Sequence, residues 1–377
     1  MQPKAPDADT DTDSPTHVDL LVVGLGPGGA AATLAARQLG LNTLAVEARG
    51  PEPTRAQLIL IRPGARAALQ RLGFADISEG RRTTTIRQVE QRLRAALADT
   101  TAAAAAPFHY HWHTSVVALQ VLADQVLATL KDETTGALRE VSARHLVDAT
   151  GGRLESLGRP ARVRVGKSHW VITAEFAEPP WFDGIVGVRD PSTHELCLLF
   201  PTWGRRGVIA YLDALPGPTG DGPLLASRFE ALGERLELGQ PMYTPWAVDV
   251  YQRALARPSN DRVVAIGDAV GTVDVLSGNG ASTAIEDAVD AVFGLAESQG
   301  AATLAAERAL TQAVSDRVFE RHRRGVRRGR MILAVRPILE RAWPSVAFGS
   351  VTRDKVGPPP LLWPAVRFVF GRRPQTS

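Results

Sequence analysis

Several residue types are scarce in this chain of 377 residues, and each scarcity excludes a class of protein. Cys197 is the single cysteine, which excludes a disulfide framework, a Cys-x-x-Cys redox pair and a cysteine-rich metal or iron–sulfur site. No apolar run reaches the roughly 18 residues that a membrane-spanning helix requires. Residues 1–17 are polar and acidic, without the apolar core of a signal peptide, so we expect a disordered tail and a cytoplasmic protein.

Lysine is also rare, so arginine supplies almost all of the positive charge. With 43 basic and 40 acidic residues the formal net charge is +3, a balance that does not indicate a nucleic-acid-binding protein. The basic run Arg321–Arg330 is expected to be a solvated helix face, with contact to an anionic cofactor, a substrate or a membrane as the alternatives. The tail Pro358–Arg373 mixes apolar residues with arginines and is expected to pack on the protein, with a membrane surface as the alternative.

The first informative motif is a glycine turn between a strand and a helix. His17–Val23 is an apolar run of strand length, and an alanine-rich helix reaches to about Gln38. Between them lies Gly24-Leu25-Gly26-Pro27-Gly28-Gly29, with the spacing GxGxxG. The first glycine allows a tight turn, the second lets a pyrophosphate approach the backbone, and the third permits close packing of helix on strand. The next strand, Asn42–Glu47, ends in a carboxylate suited to a ribose hydroxyl, so the motif predicts a dinucleotide site.

Two further glycine-containing segments follow predicted buried strands. Asp148-Ala149-Thr150-Gly151-Gly152 follows one strand, and Gly267-Asp268-Ala269 follows the strand Arg262–Ile266. The latter continues as GDAVGTVDVLSGNGASTAIEDA. This stretch resembles the pattern GDAxxxxxPxxGxGxxxAxxDA of FAD enzymes built like para-hydroxybenzoate hydroxylase. The resemblance implies that FAD is the cofactor.

The same resemblance implies roles for individual residues. Asp268 would bind the ribityl chain, and Gly278, Asn279 and Gly280 would lie beside the isoalloxazine ring. Arg55 stands where these enzymes often carry an arginine near the cofactor and the substrate entrance. The predicted cofactor-binding residues are Gly24, Gly26, Pro27, Gly28, Gly29, Glu47, Ala48, Arg49, Arg55, Thr150, Gly151, Gly267, Asp268, Gly278, Asn279 and Gly280.

The chain also departs from the hydroxylase pattern. Val275 replaces the usual proline, Gly271 the usual histidine, and Thr150 the aspartate that helps to hold FAD and the nicotinamide cofactor in that family. These departures leave open a branch similar to geranylgeranyl reductases. A halogenase is disfavoured, because the WxWxIP signature is missing and no lysine lies between Lys4 and Lys131. No second GxGxxG indicates a dedicated nicotinamide domain.

The predicted fold class is α/β: a Rossmann-like FAD-binding domain with the GxGxxG turn, an inserted, mostly antiparallel β-sheet substrate domain, and C-terminal helices. Helical spacing is found at 63–72 and 85–98, and the alternating pattern of 109–147 indicates an antiparallel β-meander. The predicted domains are 1–17 (disordered tail), 18–165 with 258–300 (FAD-binding), 166–257 (substrate-binding) and 301–377 (C-terminal helices and tail).

The function implied by the resemblance is that of a single-component monooxygenase. FAD would be reduced by NADH or NADPH, O₂ would add at flavin C4a, and the hydroperoxide would transfer one oxygen to an apolar or aromatic small molecule. A dehydrogenase or reductase without oxygen insertion, and a non-redox flavoprotein, are the alternatives. No catalytic acid or base is assigned, and the oligomeric state is left open.

Aromatic residues of the predicted substrate domain are the candidates for substrate contact: Trp170, Phe176, Phe200, Trp203 and Tyr211. Three histidines, His109, His111 and His113, alternate on one predicted strand. No carboxylate or cysteine is spaced with them as a further ligand, so we predict no metal site.

Overall fold

A computed structural model describes most of the chain between His17 and Ala342. The described residues are 17–52, 58–78, 83–99, 107–152, 154, 164–177, 186–189, 196–201, 207–214, scattered positions from 227 to 242, 245–253, 255, 262–271 and 280–342. Residues 1–16 of the expected tail 1–17 and the whole of the expected tail Pro358–Arg373 lie outside this set, whereas residue 17 begins the first strand. None of the helices in the described part is long and apolar enough to cross a membrane.

The described residues include fourteen strands and five long helices, besides two short 3₁₀ helices at Ala75–Ser78 and Gly267–Ala269. The strands are β1 (His17–Val23), β2 (Thr43–Val46), β3 (Leu58–Leu60), β4 (Thr83–Thr85), β5 (Phe108–His111), β6 (Thr114–Val121), β7 (Val126–Asp132), β8 (Leu138–Asp148), β9 (Arg164–Ala177), β10 (Val186–Arg189), β11 (Leu196–Pro201), β12 (Gly207–Ala214), β13 (Trp246–Arg253) and β14 (Val263–Ala265). The helices are α1 (Pro27–Gln38), α2 (Pro63–Arg71), α3 (Ile86–Ala98), α4 (Gly280–Gln299) and α5 (Leu304–Ala342). The chain is therefore α/β, as predicted.

The first sheet has the order β5-β2-β1-β8-β7-β6, with β14 beside β8. Strands β5, β2, β1, β8 and β14 are parallel to one another. Strands β6, β7 and β8 form the antiparallel meander expected there. The strand Phe108–His111 was expected in that meander, but it pairs in parallel with β2 at the sheet edge. Phe108 and Tyr110 pack there against the core that α1 and α3 share.

Helix α1 is buried on almost every side, because it lies between the sheet, α3 and α4. Its core positions from Gly28 to Ala36 are mostly alanine and glycine, which let neighbouring elements approach closely. The longer apolar side chains of this core come from β1, α3 and α4, among them Leu20, Leu93 and Val292. This packing fixes the first turn of α1 against the ends of the strands.

The second sheet is antiparallel, with the order β10-β11-β12-β9-β13. All of its strands lie in sequence between β8 and β14, which pair with each other in the first sheet. A short antiparallel pair, β3 with β4, lies in the sequence between β2 and β5. The hydrogen bond from Gln88 Nε2 to Glu175 Oε1 (3.1 Å) joins α3 to β9.

Candidate functional site

Four turns lie at one edge of the first sheet, because the parallel strands β1, β2, β8 and β14 all end there. Backbone hydrogen bonds join these ends: Gly24 N–H donates to Val46 O (2.7 Å), and Ala149 N–H donates to Val23 O (2.9 Å). Ile266 N–H donates to Asp148 O in the same way (3.0 Å). In open α/β sheets, ligands bind beyond the carboxyl ends of the strands. The predicted motifs that the structure describes are thus neighbours in space.

Packing within the protein explains three of the glycines in the first turn. Gly24 has φ +97°, and a Cβ there would lie 2.7 Å from the carbonyl oxygen of Ala149. A Cβ on Gly29 would overlap the carbonyl oxygen of Gly24. A Cβ on Gly28 would lie 3.0 Å from the Cβ of Ala284 on α4. A larger residue at any of these positions would force strand and helices apart.

Gly26 differs from its neighbours, because nothing in the described protein requires a glycine there. Its φ of −65° suits any residue. A Cβ on it would meet only Glu90 Oε1, at 3.8 Å. Gly26 is the N-cap of α1, whose first turn carries no acidic side chain, so the positive end of the helix dipole is not neutralised from within. This space suits a phosphate group that approaches the backbone.

Glu47, the residue that follows β2, binds the same turn through its side chain. Its side chain is only 5% exposed. Oε2 accepts a hydrogen bond from Leu25 N–H (2.8 Å), and Oε1 accepts from Arg49 N–H (3.1 Å) and Arg49 Nε (2.9 Å). Burial would raise the pKa of Glu47, but these hydrogen bonds and the Arg49 charge outweigh it, so the pKa is lowered. Glu47 is therefore a carboxylate beside the glycine turn at neutral pH.

A buried ion pair beneath this turn was missed by the sequence analysis. Arg94 of α3 donates to the carbonyl oxygens of Pro51 (2.5 Å) and Leu25 (3.2 Å), and lies 3.5 Å from the Glu90 carboxylate. Its guanidinium also stacks 4.9 Å from the centre of the Trp112 ring. Burial lowers the pKa of Arg94 despite the attraction of Glu90. In sequence, Glu90 and Arg94 resemble an ordinary surface pair on one helix face.

The Thr150 side chain stabilises, by hydrogen bonds, the turn in which it lies. Its hydroxyl donates to Asp148 Oδ1 (2.7 Å), the same oxygen that accepts from Thr150 N–H (3.1 Å). The hydroxyl oxygen in turn accepts from Gly152 N–H (3.3 Å). Gly151 and Gly152 have φ values of +69° and +102°, which favour glycine. Thr150 and Gly151 thus lie at the edge of the sheet where β8 ends, with the hydroxyl bonded within the turn.

Strand β14 leads into the turn 267–271, which contains Asp268. A Cβ on Gly267 (φ +57°) would lie 2.7 Å from the Cβ of Ala284. Asp268 is exposed, and its Oδ1 lies 3.6 Å from where a Cβ on Gly280 would be, at the start of α4. Asp268 and Gly280 therefore adjoin. Gly278, Asn279 and Arg55 lie outside the described residues, as does Trp203.

A second buried network holds this turn from behind. His322 of α5, with no exposed side-chain surface, contacts Asp287 Oδ2 through Nε2 (2.7 Å) and the Gly271 carbonyl oxygen through Nδ1 (2.9 Å). Arg321 makes ion pairs with Glu286, Asp287 and Asp290 of α4. Both residues belong to the basic run that was expected to be solvated. The expectation is wrong for them, because three α4 carboxylates face this side of α5.

Two other arginines of the basic run, Arg323 and Arg324, are exposed to solvent. Arg323 and Arg324 lie near Glu320 on the same helix, at 2.6 and 3.8 Å, with side chains 47% and 72% exposed. Of the candidate substrate contacts, Phe176 is buried on β9, and Trp170, Phe200 and Tyr211 belong to β9, β11 and β12. His109 and His111 lie on β5, and His113 follows it with φ +52°.

Comparison with known proteins gives no match to any family model and none to a curated protein. Solved structures do match. PqsL, a probable FAD-dependent monooxygenase from Pseudomonas aeruginosa, has a TM-score of 0.66 at 19% identity, over 85% of this chain and 96% of PqsL. The flavin-dependent monooxygenase PieE, solved with FAD and substrate, has a TM-score of 0.68 at 17% identity, over 92% of this chain and 67% of PieE.

A flavoprotein/dehydrogenase from Cytophaga hutchinsonii is also similar, with a TM-score of 0.63 at 16% identity over 89% of both chains. At these identities the likeness establishes the fold, which is that of FAD-dependent monooxygenases and related flavoproteins. The resemblance noted in the sequence is therefore confirmed at the level of the fold. The chemistry follows from the site, since one fold can carry several activities.

Proposed function

We propose that this protein is an FAD-dependent monooxygenase that takes electrons from NADH or NADPH and oxidises an apolar or aromatic small molecule. The observation that carries the proposal is Gly26: no contact of the described protein requires a glycine there, but a pyrophosphate approaching the backbone does. The likeness to PqsL and PieE supports FAD as the dinucleotide.

Three residues of the site, in the order in which they occur along the chain, suit three different parts of FAD. The first turn of α1 at Gly26 would hold the pyrophosphate through backbone N–H groups and the helix dipole. Glu47, ionised and held by Leu25 and Arg49, would accept a hydrogen bond from the adenosine ribose. Asp268, exposed beside Gly280, would bind the ribityl chain.

Bound flavin supplies the redox chemistry, which is the NAD(P)H-driven insertion of one atom of O₂ into the substrate with release of the other as water. The protein's contribution is to orient the substrate and to exclude water. The second sheet is the element available for that task, because its strands lie between β8 and β14, which both end at the site. The domain boundaries 18–165 with 258–300, and 166–257, form part of the proposal.

A specific observation supports a second candidate, a flavin-dependent dehydrogenase or reductase without oxygen insertion. The Thr150 hydroxyl is bonded to Asp148 within its own turn, at the position where the hydroxylases carry an aspartate that helps to hold the nicotinamide cofactor. The likeness to the Cytophaga flavoprotein/dehydrogenase agrees with this alternative.

The decisive experiment begins with the absorbance spectrum of the purified full chain, reconstituted with FAD where necessary. NADH and NADPH are then added anaerobically. Bleaching of the visible flavin bands followed by ¹⁸O₂ label in the product, in assays with small aromatic compounds, is the result expected of a monooxygenase. Bleaching by NADH or NADPH followed by an unlabelled, reduced product would favour a reductase, and bleaching by the organic substrate itself, with an unlabelled oxidised product, would favour a dehydrogenase. A protein that cannot take up FAD would contradict both.

A further inference from the structure

His322 of α5 is placed between two hydrogen-bond acceptors. Its Nε2 faces Asp287 Oδ2 at 2.7 Å, and its Nδ1 faces the carbonyl oxygen of Gly271 at 2.9 Å. A carbonyl oxygen has no proton to donate, and an ionised carboxylate has none either. A neutral imidazole carries one N–H and can satisfy only one of these partners, whereas an imidazolium satisfies both. The geometry therefore selects the doubly protonated ring.

The charges around His322 support the cation. Asp287 of α4 is its direct partner, and Asp268 of the 267–271 turn adds a second negative charge. Arg321 occupies the other oxygen of Asp287 and is itself balanced by Glu286 and Asp290. Burial alone would lower the pKa of His322, but the Asp287 charge and hydrogen bond outweigh it, so the pKa lies above its ordinary value of 6.5.

The same pair of residues holds both ends of the turn that carries Asp268. Asp287 Oδ2 accepts a second hydrogen bond, from Gly267 N–H at 3.2 Å, while His322 binds the Gly271 carbonyl. Gly267 and Gly271 have φ values of +57° and +139°, conformations that glycine adopts but does not enforce. The position of Asp268 thus depends on contacts from α4 and α5.

We propose that His322 is a positioning residue for FAD: as an imidazolium bridging Asp287 and Gly271, it fixes the 267–271 turn and thereby places Asp268 against the ribityl chain. This inference rests on the proposed function. It assigns part of the Arg321–Arg330 run to the cofactor site, although α5 begins only at Leu304, 39 residues after the end of β14 at Ala265. Removing the proton from His322 would remove one of the two bonds, so FAD affinity is expected to fall as the pH rises through the pKa of His322.

Two substitutions separate the two hydrogen bonds. The amide nitrogen of asparagine takes the place of Nδ1 and can still donate to Gly271, whereas that of glutamine takes the place of Nε2 and can still donate to Asp287. His322→Asn should therefore retain more of the FAD affinity than His322→Gln. Neither side chain titrates, so the affinity of either variant should lack the alkaline fall. His145→Gln is the matched control, because His145 is also fully buried and bonded to a glutamate of α5, Glu307, rather than to the turn.

The measurement is the dissociation constant of FAD for the full-length apoprotein, from flavin fluorescence between pH 6 and pH 9.5. For the wild type and His145→Gln we expect the constant to rise about tenfold across the titration of His322, the effect of one hydrogen bond to a charged group. At neutral pH, His322→Gln should bind about tenfold more weakly than the wild type. Histidine ¹⁵N spectra of the apoprotein provide a second readout, in which both ring nitrogens of His322 should be protonated at neutral pH.

The outcomes distinguish this inference from the proposed function. A wild type that binds no FAD would overturn both. FAD binding that is equally tight in the wild type and both His322 variants, without an alkaline fall, would overturn the positioning role and leave the proposed function standing. A neutral His322 in the ¹⁵N spectra would overturn it too, even where a His322 variant fails to fold.

Discussion

The carbonyl oxygen of Gly24 occupies the space in which a side chain on Gly29 would begin. Strand β1 and helix α1 therefore approach each other at backbone distance across the glycine turn. Gly26, between Gly24 and Gly29 in sequence, has no such neighbour among the described residues. Packing among the described residues thus requires a glycine at position 29 but not at position 26, and substitution can separate the two requirements.

Gly29→Ala is expected to prevent stable folding. The added Cβ would overlap a backbone carbonyl, which cannot rotate away as a side chain could, and the helix would have to shift within a closely packed core. We expect a loss of more than about 3 kcal/mol in the free energy of unfolding, at the upper end for overpacked sites. Urea unfolding followed by circular dichroism measures it. Wild-type stability in this variant would mean that α1 does not lie so close to β1.

Gly26→Ala is expected to leave the fold intact and to weaken FAD binding. The backbone conformation suits alanine, and the new Cβ has 3.8 Å to its neighbour, so the free energy of unfolding of the apoprotein should fall by about 1 kcal/mol or less, the cost of a poorer N-cap. A methyl group at the phosphate-binding turn should raise the dissociation constant of FAD at least about tenfold. Unchanged FAD affinity in a well-folded variant would contradict the placement of the pyrophosphate.

Glu307 of α5 joins that helix to the first sheet, and its removal should destabilise the protein strongly. Its Oε1 accepts hydrogen bonds from His145 (3.0 Å), Arg144 (2.7 Å) and Arg262 (2.6 Å), and Arg262 is almost fully buried. Glu307→Ala would leave the Arg262 charge without this carboxylate, at an expected cost of about 3–5 kcal/mol in the free energy of unfolding. Thermal and urea unfolding of the apoprotein measure the loss.

The matched control for that experiment is Glu320→Ala, on the same helix. Glu320 also pairs with arginines, Arg323 and Arg324, but all three side chains are exposed to solvent. Solvent screens such pairs, so little change in stability is expected. Equal effects of the two substitutions would mean that the Glu307 network does not hold α5 to the sheet.

The parts of the site that could be predicted from the sequence are local in the chain. Strand, glycine turn, helix and carboxylate follow one another from His17 to Glu47. The GxGxxG spacing assigned a tight turn to Gly24 and close packing to Gly29, and at both positions a Cβ would meet backbone atoms. The turns after β8 and β14 were identified because each follows an apolar strand, and the second also matches the family pattern. Their convergence with the first turn follows from the parallel pairing of β1, β8 and β14.

The parts that could not be predicted are partnerships between distant positions. His322 and Asp287 are 35 residues apart, and His145 and Glu307 are 162 apart. Neither histidine belongs to a motif, and a charged run such as Arg321–Arg330 is usually solvated. Only the packing of α5 on α4 and on the sheet assigns these side chains their partners. The same limit explains β5, whose alternating pattern does not specify which strand it pairs with.

His145 is expected to be neutral throughout the physiological range, in contrast to His322. Burial, with the charge of Arg262, lowers the pKa of His145 to about 4 despite its hydrogen bond to Glu307. Its Nδ1 is buried without a hydrogen-bond partner, so a second proton would have no acceptor. The ¹⁵N shifts of His145 should therefore not titrate between pH 5 and pH 8, whereas an exposed histidine titrates near 6.5.

The depressed pKa of His145 also gives a sign to the pH dependence of stability. Between its folded value of about 4 and its unfolded value of 6.5, the unfolded chain binds the proton and the folded chain does not, so acidification favours unfolding. From pH 7.5 to pH 5 this group alone should remove about 2 kcal/mol from the free energy of unfolding. His145→Gln, which can still donate to Glu307, should lack that component, so the stability difference between wild type and variant should change by this amount. The comparison is made above pH 5 because Glu307 adds its own pH dependence at lower pH. Its hydrogen bonds to Arg144 and Arg262 outweigh its burial and lower its pKa to about 2 in the folded protein, whereas in the unfolded chain it is protonated below about pH 4.5. Parallel stability curves for the two proteins would mean that His145 is charged in the folded state.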